Sequence, residues 1–291
     1  MKLKYLIILL LILTPNIFST ENNPELAVQI TPVFELHSSL ENHPDFPSFS
    51  ITNRIINHAT SNTPLNIKWS ILIPTIVERA SVFEKLYTEL TRQIISLNLT
   101  DQIEILYFRD KRAENLVGFK RNLLLAQSLG EYTCFIDDDD LVHENYIQMI
   151  YAKLLENPDC VSLTGIITFD GKEPRKFIHS LKNTRWFNGR DGCYHRPPNH
   201  LNPIKRSIAI QFKFPLKNTQ EDLDWCMQIC NSKLLKIEAE ITEPYYFYRF
   251  EAANSVQFQT KASNNTASPE LIKSNTPQKN HWANWKRPTS H

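Results

Sequence analysis

Between residues 67 and 251, short apolar runs alternate with segments of helical period, and this alternation constrains the fold more than any single motif. "KWSILIP" is rich in β-branched residues and stopped by proline, which suits a buried strand from Trp69 to Ile73. Behind it Phe83, Leu86, Tyr87, Leu90, Ile94 and Leu97 recur at helical spacing. "QIEILYF" at 102–108 predicts a second strand. "FKRNLLLAQSLG" predicts a helix stopped at Gly130, the favoured C-terminal residue, and "YTCFI" at 132–136 a third strand. "HENYIQMIYAKLLENPD" reads as a helix ended by Asn157 and Pro158, and "CVSLTGIITF" as a fourth strand. Strands alternating with helices predict an α/β domain, a mainly parallel sheet flanked by helices.

In such sheets ligands gather beyond the C-terminal strand ends. Pro74 and Thr75 follow the first strand, Asp110 the second, and Asp137 to Asp140 the third, so a parallel sheet brings all of them to one edge. The run "FIDDDDLV" sets four carboxylates side by side. Neighbours about 5 to 6 Å apart repel by roughly 3 kcal/mol per pair at an effective dielectric near 20. A bound cation, protonation of some members, or exposure to water and salt could each compensate them. The chain holds six glycines and neither G-x-G-x-x-G nor G-x-x-x-x-G-K-[ST], which argues against a glycine cradle for phosphates. Magnesium or manganese bridging the carboxylates to a diphosphate is the substitute.

A net charge of +1 and the lack of interleaved basic and aromatic residues argue against nucleic acid as a partner. Five cysteines form no C-x-x-C pair and leave one over, a poor disulfide framework and a poor zinc pattern, and they read as small buried hydrophobes. The start, Lys2 and Lys4 before an apolar run from Tyr5 to Leu13, has the layout of a signal peptide or short signal anchor over 1–20. A polar stem punctuated by prolines follows over 21–66, then the α/β domain over 67–251 and a polar tail over 252–291 that reads as disordered. This layout predicts a secretory, lumenal or exported domain, with association to a membrane through the N-terminus. A membrane anchor facing the cytoplasm is the alternative. The sequons Asn98-Leu99-Thr100 and Asn264-Asn265-Thr266 fit a lumen.

"SILIPT" at 70–75, a second strand ending in Asp110, "KRNLLLAQSLGEY" at 120–132, "FIDDDD", and "QEDLDW" at 220–225 together resemble nucleotide-sugar glycosyltransferases of the GT-A fold, family 2 type. The resemblance covers about Lys68 to Phe250, and "HLNPIKRSIA" at 200–209 is similar to a segment between the two acidic motifs of some members. It implies a single GT-A domain and a glycosyltransferase that is metal-dependent and inverting. The donor would be a nucleotide sugar, a UDP-sugar first among them, and the acceptor a glycan, lipid or protein hydroxyl. It makes Asp137, Asp138 and Asp139 the D-x-D motif, with Asp139 on manganese or magnesium and Asp137 near ribose or metal. Pro74, Thr75 and Asp110 fall at base-contacting positions, Arg121 lies near base and diphosphate, and Lys120 adds a point charge. Asp222 is the general base, with Glu221 supporting it or touching acceptor. Two features depart from the family: Ile76 stands where an aromatic residue is common, and "FRDKRAEN" keeps one acid at the second strand end.

Two other functions remain compatible with these residues. One is a metal-dependent nucleotidyl- or phosphotransferase with Asp222 as a third ligand; the other is a non-catalytic carbohydrate- or calcium-binding descendant. Other readings are ordinary ones. Thr219 with Asp222 resembles a capping box, and Leu223, Cys226, Met227, Cys230 and Leu234 form a helical stripe. His195 and His200 are loop histidines that could complete a metal shell or touch the acceptor. Trp186 and Trp225 read as core, and Tyr245, Tyr246 and Tyr248 as residues closing the sheet or lining the acceptor side.

Overall fold

The computed structural model describes residues 50–52 and 66–250. The expected signal or anchor, most of the stem and the tail lie outside the described residues.

In chain order the elements are β1 (Ser50–Thr52), β2 (Trp69–Ile76), α1 (Ala80–Ser96), β3 (Ile103–Asp110), α2 (Val117–Gln127), β4 (Tyr132–Phe135), β5 (Leu141–Val142) and α3 (Tyr146–Leu154). There follow β6 (Cys160–Val161), β7 (Leu163–Phe169), β8 (Lys172–His179), β9 (Phe187–Asn188), β10 (Tyr194–Arg196), β11 (Ile204–Lys205), α4 (Arg206–Ala209), α5 (Glu221–Ser232), β12 (Glu238–Ala239) and β13 (Tyr246–Phe250). A seven-stranded sheet runs β1-β3-β2-β4-β11-β6-β12, and a six-stranded sheet runs β5-β13-β7-β8-β10-β9. The heart of the first is parallel, β2 lying between β3 and β4 in parallel register. Its edge strand β1, from within the proline-punctuated stretch, pairs antiparallel to β3.

Period-two alternation explains why β2 is buried on both faces. Trp69, Ile71 and Ile73 enter one core with Phe83, Leu90 and Ile94 of α1, while Leu72 enters another with Leu124 of α2 and Trp225 of α5. Each large apolar side chain so buried contributes roughly 1.5–3 kcal/mol.

Three expectations are corrected here. β2 continues through Pro74 to Ile76 instead of stopping at Ile73. The Leu72 carbonyl accepts from Ile136, so alternate residue 74 faces the β4 side, where pairing has already ended and a missing N–H leaves nothing unmade. "CVSLTGIITF" is two strands rather than one: β6 belongs to the first sheet and β7 to the second, so the chain changes sheets at Ser162. Gly130 does not end α2, which stops at Gln127 with Ser128 extended. A Cβ at Gly130 would lie 2.6 Å from both Ser70 N and Ser70 Oγ and 2.8 Å from the Trp69 carbonyl carbon, so glycine is required by close approach to the central strand. There Gly130 N–H donates to Ser70 Oγ, which donates in turn to the buried Glu104 carboxylate. Among the described residues no helix is long and apolar enough to cross a membrane.

Gly130→Ala therefore destabilises the chain by about 2 kcal/mol, because the atoms it meets are strand backbone that cannot move aside. Urea unfolding checks this: the midpoint falls while the slope stays constant.

Candidate active site

Parallel pairing brings the ends of β2, β3 and β4 to one edge, Ile76 opposite Asp110 in register, with the acidic run directly after β4. A cleft of about 490 Å³ opens there, within the usual size of small-molecule sites. Pro74, Thr75, Lys120, Arg121, Asp137, Asp138, Asp139 and Glu221 all line it. Asp110 and Asp222 do not.

Asp110 is buried behind the wall. Its carboxylate accepts from Lys120 Nζ on α2 and, at 3.0–3.1 Å, from the backbone N–H and side-chain amide of Asn115. Lys120 and Asn115 are the groups that reach the cleft. Neither Lys120 nor Arg121 is a solvated helix start, for both are buried. Arg121 lies with Nη2 2.9 Å from Asp137 Oδ1 and Nε 3.3 Å from Glu221 Oε1, over the rings of Phe135 and Phe214. Its Nη1 is buried without a hydrogen-bond partner.

The four carboxylates of the run turn apart, each to different partners. Asp137 faces Arg121 and His200; burial works to raise its carboxyl, but these two neighbours outweigh burial and hold it below the ordinary range. Asp138 is buried and accepts from Thr75 Oγ1 at 2.7 Å and from Arg79 Nη1 at 2.6 Å. Asp140 is buried and accepts from Tyr246 O–H at 2.7 Å and from Arg249 N–H at 3.2 Å, tying the run to β13. Burial, with Asp137 and Asp139 nearby, raises Asp140 well above a normal carboxyl. Asp139 has its side chain one-third exposed in the cleft, 3.1 Å from Arg79. Burial, and behind it Asp137 and Asp138, outweighs Arg79 and pushes Asp139 up to about 6. Because the oxygens diverge, the run is not a closed protein cage. Magnesium-type ions are commonly held by one or two carboxylates plus substrate phosphates, and the hard oxygens of Asp139 and Asp137 fit that arrangement. A divalent ion there would offset the cost of burying the Asp139 charge beside Asp137 and Asp138.

α5 supplies the second acidic motif. Gln220 caps it in the left-handed conformation with no side-chain cap bond, so the expected Thr219 capping box is absent. Its buried stripe is Glu221, Trp225, Cys226 and Ile229, sharing only Cys226 with the expected one from Leu223 to Leu234; Trp225 stacks on Phe214 at 4.7 Å. Asp222 stays partly exposed, with its carboxylate 3.8 Å from His200 Nδ1. His200 is no surface histidine. It is buried, and its Nε2 lies 3.7 Å from Asp137, so one ring stands between the two acidic motifs. Trp186 is half-exposed under Arg196 instead of in the core. Tyr245 and Tyr246 are buried in the sheet, and Tyr248 lines the cleft.

Sequence reasoning missed Arg79, Arg112, Asn115 and Arg249, which also line the cleft. Arg79 had one signal: it stands one helical turn's reach beyond the first strand end. Arg249 donates through Nε and Nη2 to the Asp139 carbonyl, at 3.0 and 2.6 Å, from 110 residues away, and no local pattern marks it.

Folded Asp139 binds its proton more tightly than an unfolded aspartate, so that stabilisation is complete below about pH 4 and is lost as the pH rises through about 6. Asp139→Asn accordingly raises the thermal midpoint of the ligand-free protein near pH 7.5 and adds nothing near pH 4. Melting curves across this range decide it, an equal shift at both ends contradicting the assignment.

Residues 88–217 match the sequence profile of glycosyl transferase family 2. Among curated proteins none is significantly similar to this chain. Solved structures similar to it include S. aureus TarS 1–349 in complex with UDP-GlcNAc, at 15% identity and TM-score 0.45, covering 63% of this chain and 58% of that one. S. aureus TarS 1–349 alone gives 15% and 0.43, with 63% and 60% covered. Longer S. aureus TarS gives 14% and 0.40, with 63% and 37% covered. The chain thus spans less than two thirds of the length of these structures. The profile match over 88–217 falls wholly within the described α/β domain and includes Asp110, Lys120, Arg121 and the acidic run after β4.

Proposed function

We propose that this chain transfers a glycosyl group from a nucleotide-diphosphate sugar, a UDP-sugar first among candidates, to an acceptor hydroxyl with inversion at the anomeric carbon. The observation that carries the reading is a single cleft where the D-x-D carboxylates and Arg79, Lys120, Arg121 and Arg249 meet at the C-terminal edge of the parallel strands. A nucleoside diphosphate with its metal is a ligand that uses both signs of charge.

Asp139, with Asp137, would hold manganese or magnesium, which neutralises charge developing on the departing diphosphate. The chain's own residues do the rest. Lys120, fixed by buried Asp110, and the unpartnered Nη1 of Arg121 are placed to bind phosphate oxygens. Thr75 orients Asp138, and Asp138 in turn positions Arg79 on the cleft wall. Asp222 is the better base of the acidic pair. Glu221 is committed to Arg121, whereas the Asp222 carboxylate is partly open to solvent beside His200. It takes the acceptor's proton as the hydroxyl oxygen attacks; the new C–O bond forms and the nucleoside diphosphate leaves with the old bond's electron pair. Glu221 acts through Arg121, as a positioning residue. The acceptor would be a glycan, lipid or protein hydroxyl, met in a secretory lumen or at a membrane if residues 1–20 serve as signal or anchor.

Two results test this. Calorimetric titration of UDP, GDP and their sugars gives binding to one donor class that depends on manganese and is lost in Asp139→Ala; binding of triphosphates alone, or of manganese with no nucleotide, overturns it. Asp222→Asn lowers kcat by about 10²–10⁴-fold while donor affinity stays within about twofold, and retained turnover assigns the base elsewhere.

A further inference from the structure

The hairpin of β9 and β10 carries a second cluster of ligand-type side chains, in "GRDGCYH" at 189–195. Asp191, Cys193 and His195 each direct one ligand atom to a common point, all within 4.8 Å of one another, and among the described residues no other three His, Cys, Asp or Glu converge so. We propose that these three bind a zinc-class divalent metal ion, at a site separate from the acidic run of the cleft.

The local chain builds this convergence. Cys193 and His195 are two apart on an extended segment, so both side chains project to one face. Gly192, at φ +81°, turns the chain before them. Asp191, on the turn, is drawn back by the Cys193 N–H, which donates to its Oδ1 at 3.0 Å. His195 is opposite Phe187 in the β9–β10 register and stacks on that ring at 4.7 Å and 9°, which sets the imidazole plane. Arg196 donates to the Phe187 and His195 carbonyls at 2.6 and 2.8 Å, holding the hairpin in shape.

Gly189 sits against the same two side chains: a Cβ there would collide with Asp191 Oδ1 and lie 3.1 Å from His195 Nε2, so a larger residue would push the carboxylate out of its present position. Ligand atoms around tetrahedral zinc stand roughly 3.5 Å apart, given bonds of about 2.0–2.3 Å. Asp191 Oδ1 and His195 Nε2 are at 4.0 Å, and the Asp191 side chain is 67% exposed, so closure needs a small rotation of a mobile-ended group. Cys193 supplies a soft ligand and His195 a borderline one, a set that prefers zinc or cobalt to the magnesium or manganese suited to Asp139. Three protein ligands leave the fourth position to water.

Cobalt(II) titration of the full-length protein tests this, because a thiolate-to-cobalt charge-transfer band reports a cysteine ligand and is silent on carboxylate-only sites. One equivalent of cobalt is expected to give that band and four-coordinate visible absorption, both displaced by zinc. Cys193→Ser abolishes the band, His195→Gln and Gly189→Ala weaken binding at least tenfold, and Cys230→Ser and Asp139→Ala leave it unchanged. Absence of the band at stoichiometric cobalt, or its survival in Cys193→Ser, overturns the proposal. If Cys193→Ser does not fold, Asp191→Asn decides, since it keeps the turn's hydrogen bond on an exposed side chain: weakened binding supports the site and unchanged binding overturns it.

Discussion

Arg121 is a buried cation answered by Asp137 on one side and Glu221 on the other, and the geometry of the cleft depends on that bridge. The three residues come from α2, the end of β4 and the start of α5, so one guanidinium ties the two acidic motifs together across 84 residues of chain. Removing Arg121 would leave the buried Glu221 carboxylate uncompensated, a change that typically costs about 3–5 kcal/mol. Arg121 suits the position because its planar fork addresses two acids at once and its faces rest on Phe135 and Phe214, which a lysine could not reproduce.

The same economy of placement resolves the four adjacent aspartates. Repulsion between them is relieved by divergence: Asp137 turns to Arg121, Asp138 to Thr75 and Arg79, and Asp140 to Tyr246 and the Arg249 backbone. Asp137 and Asp139 keep partly exposed carboxylates in the cleft, and of these two Asp139 carries a raised proton affinity. Of the compensations open at the sequence level, raised proton affinity is seen at Asp139 and Asp140 and partial exposure at Asp137 and Asp139, while fixed cations, not foreseen there, answer Asp137 and Asp138.

Much of the fold was legible because the period of apolar residues reports burial directly. β2, β3 and β4 and the helices between them follow from short β-branched runs and helical spacing, and their parallel order places Thr75, Asp110 and Asp137 to Asp140 on one edge. What was illegible has particular causes. The switch between sheets at Ser162 leaves an uninterrupted apolar run, since both flanking strands are buried. Gly130 resembles a helix stop although its role is to let Ser70 approach. The burial of His200 is not readable from its loop because its neighbours are Phe135, Asp137 and Asp222, none of them local. Arg249 gave no pattern above background for the same reason, whereas Asp191 and His195, four residues apart, approach through a local turn that periodicity does not report.

The sequence by itself determined the α/β class, the edge on which the acids gather and the residue types available there, because strand and helix periods and strand-end positions are local properties of the chain. Tertiary structure alone decided which carboxylate meets which cation, that Asp110 works from behind the wall, and that Asp222 is freer than Glu221. Those are matters of side-chain direction and distance between segments far apart in sequence, and charge interactions that scale with separation and burial take their values only once the chain has closed upon itself.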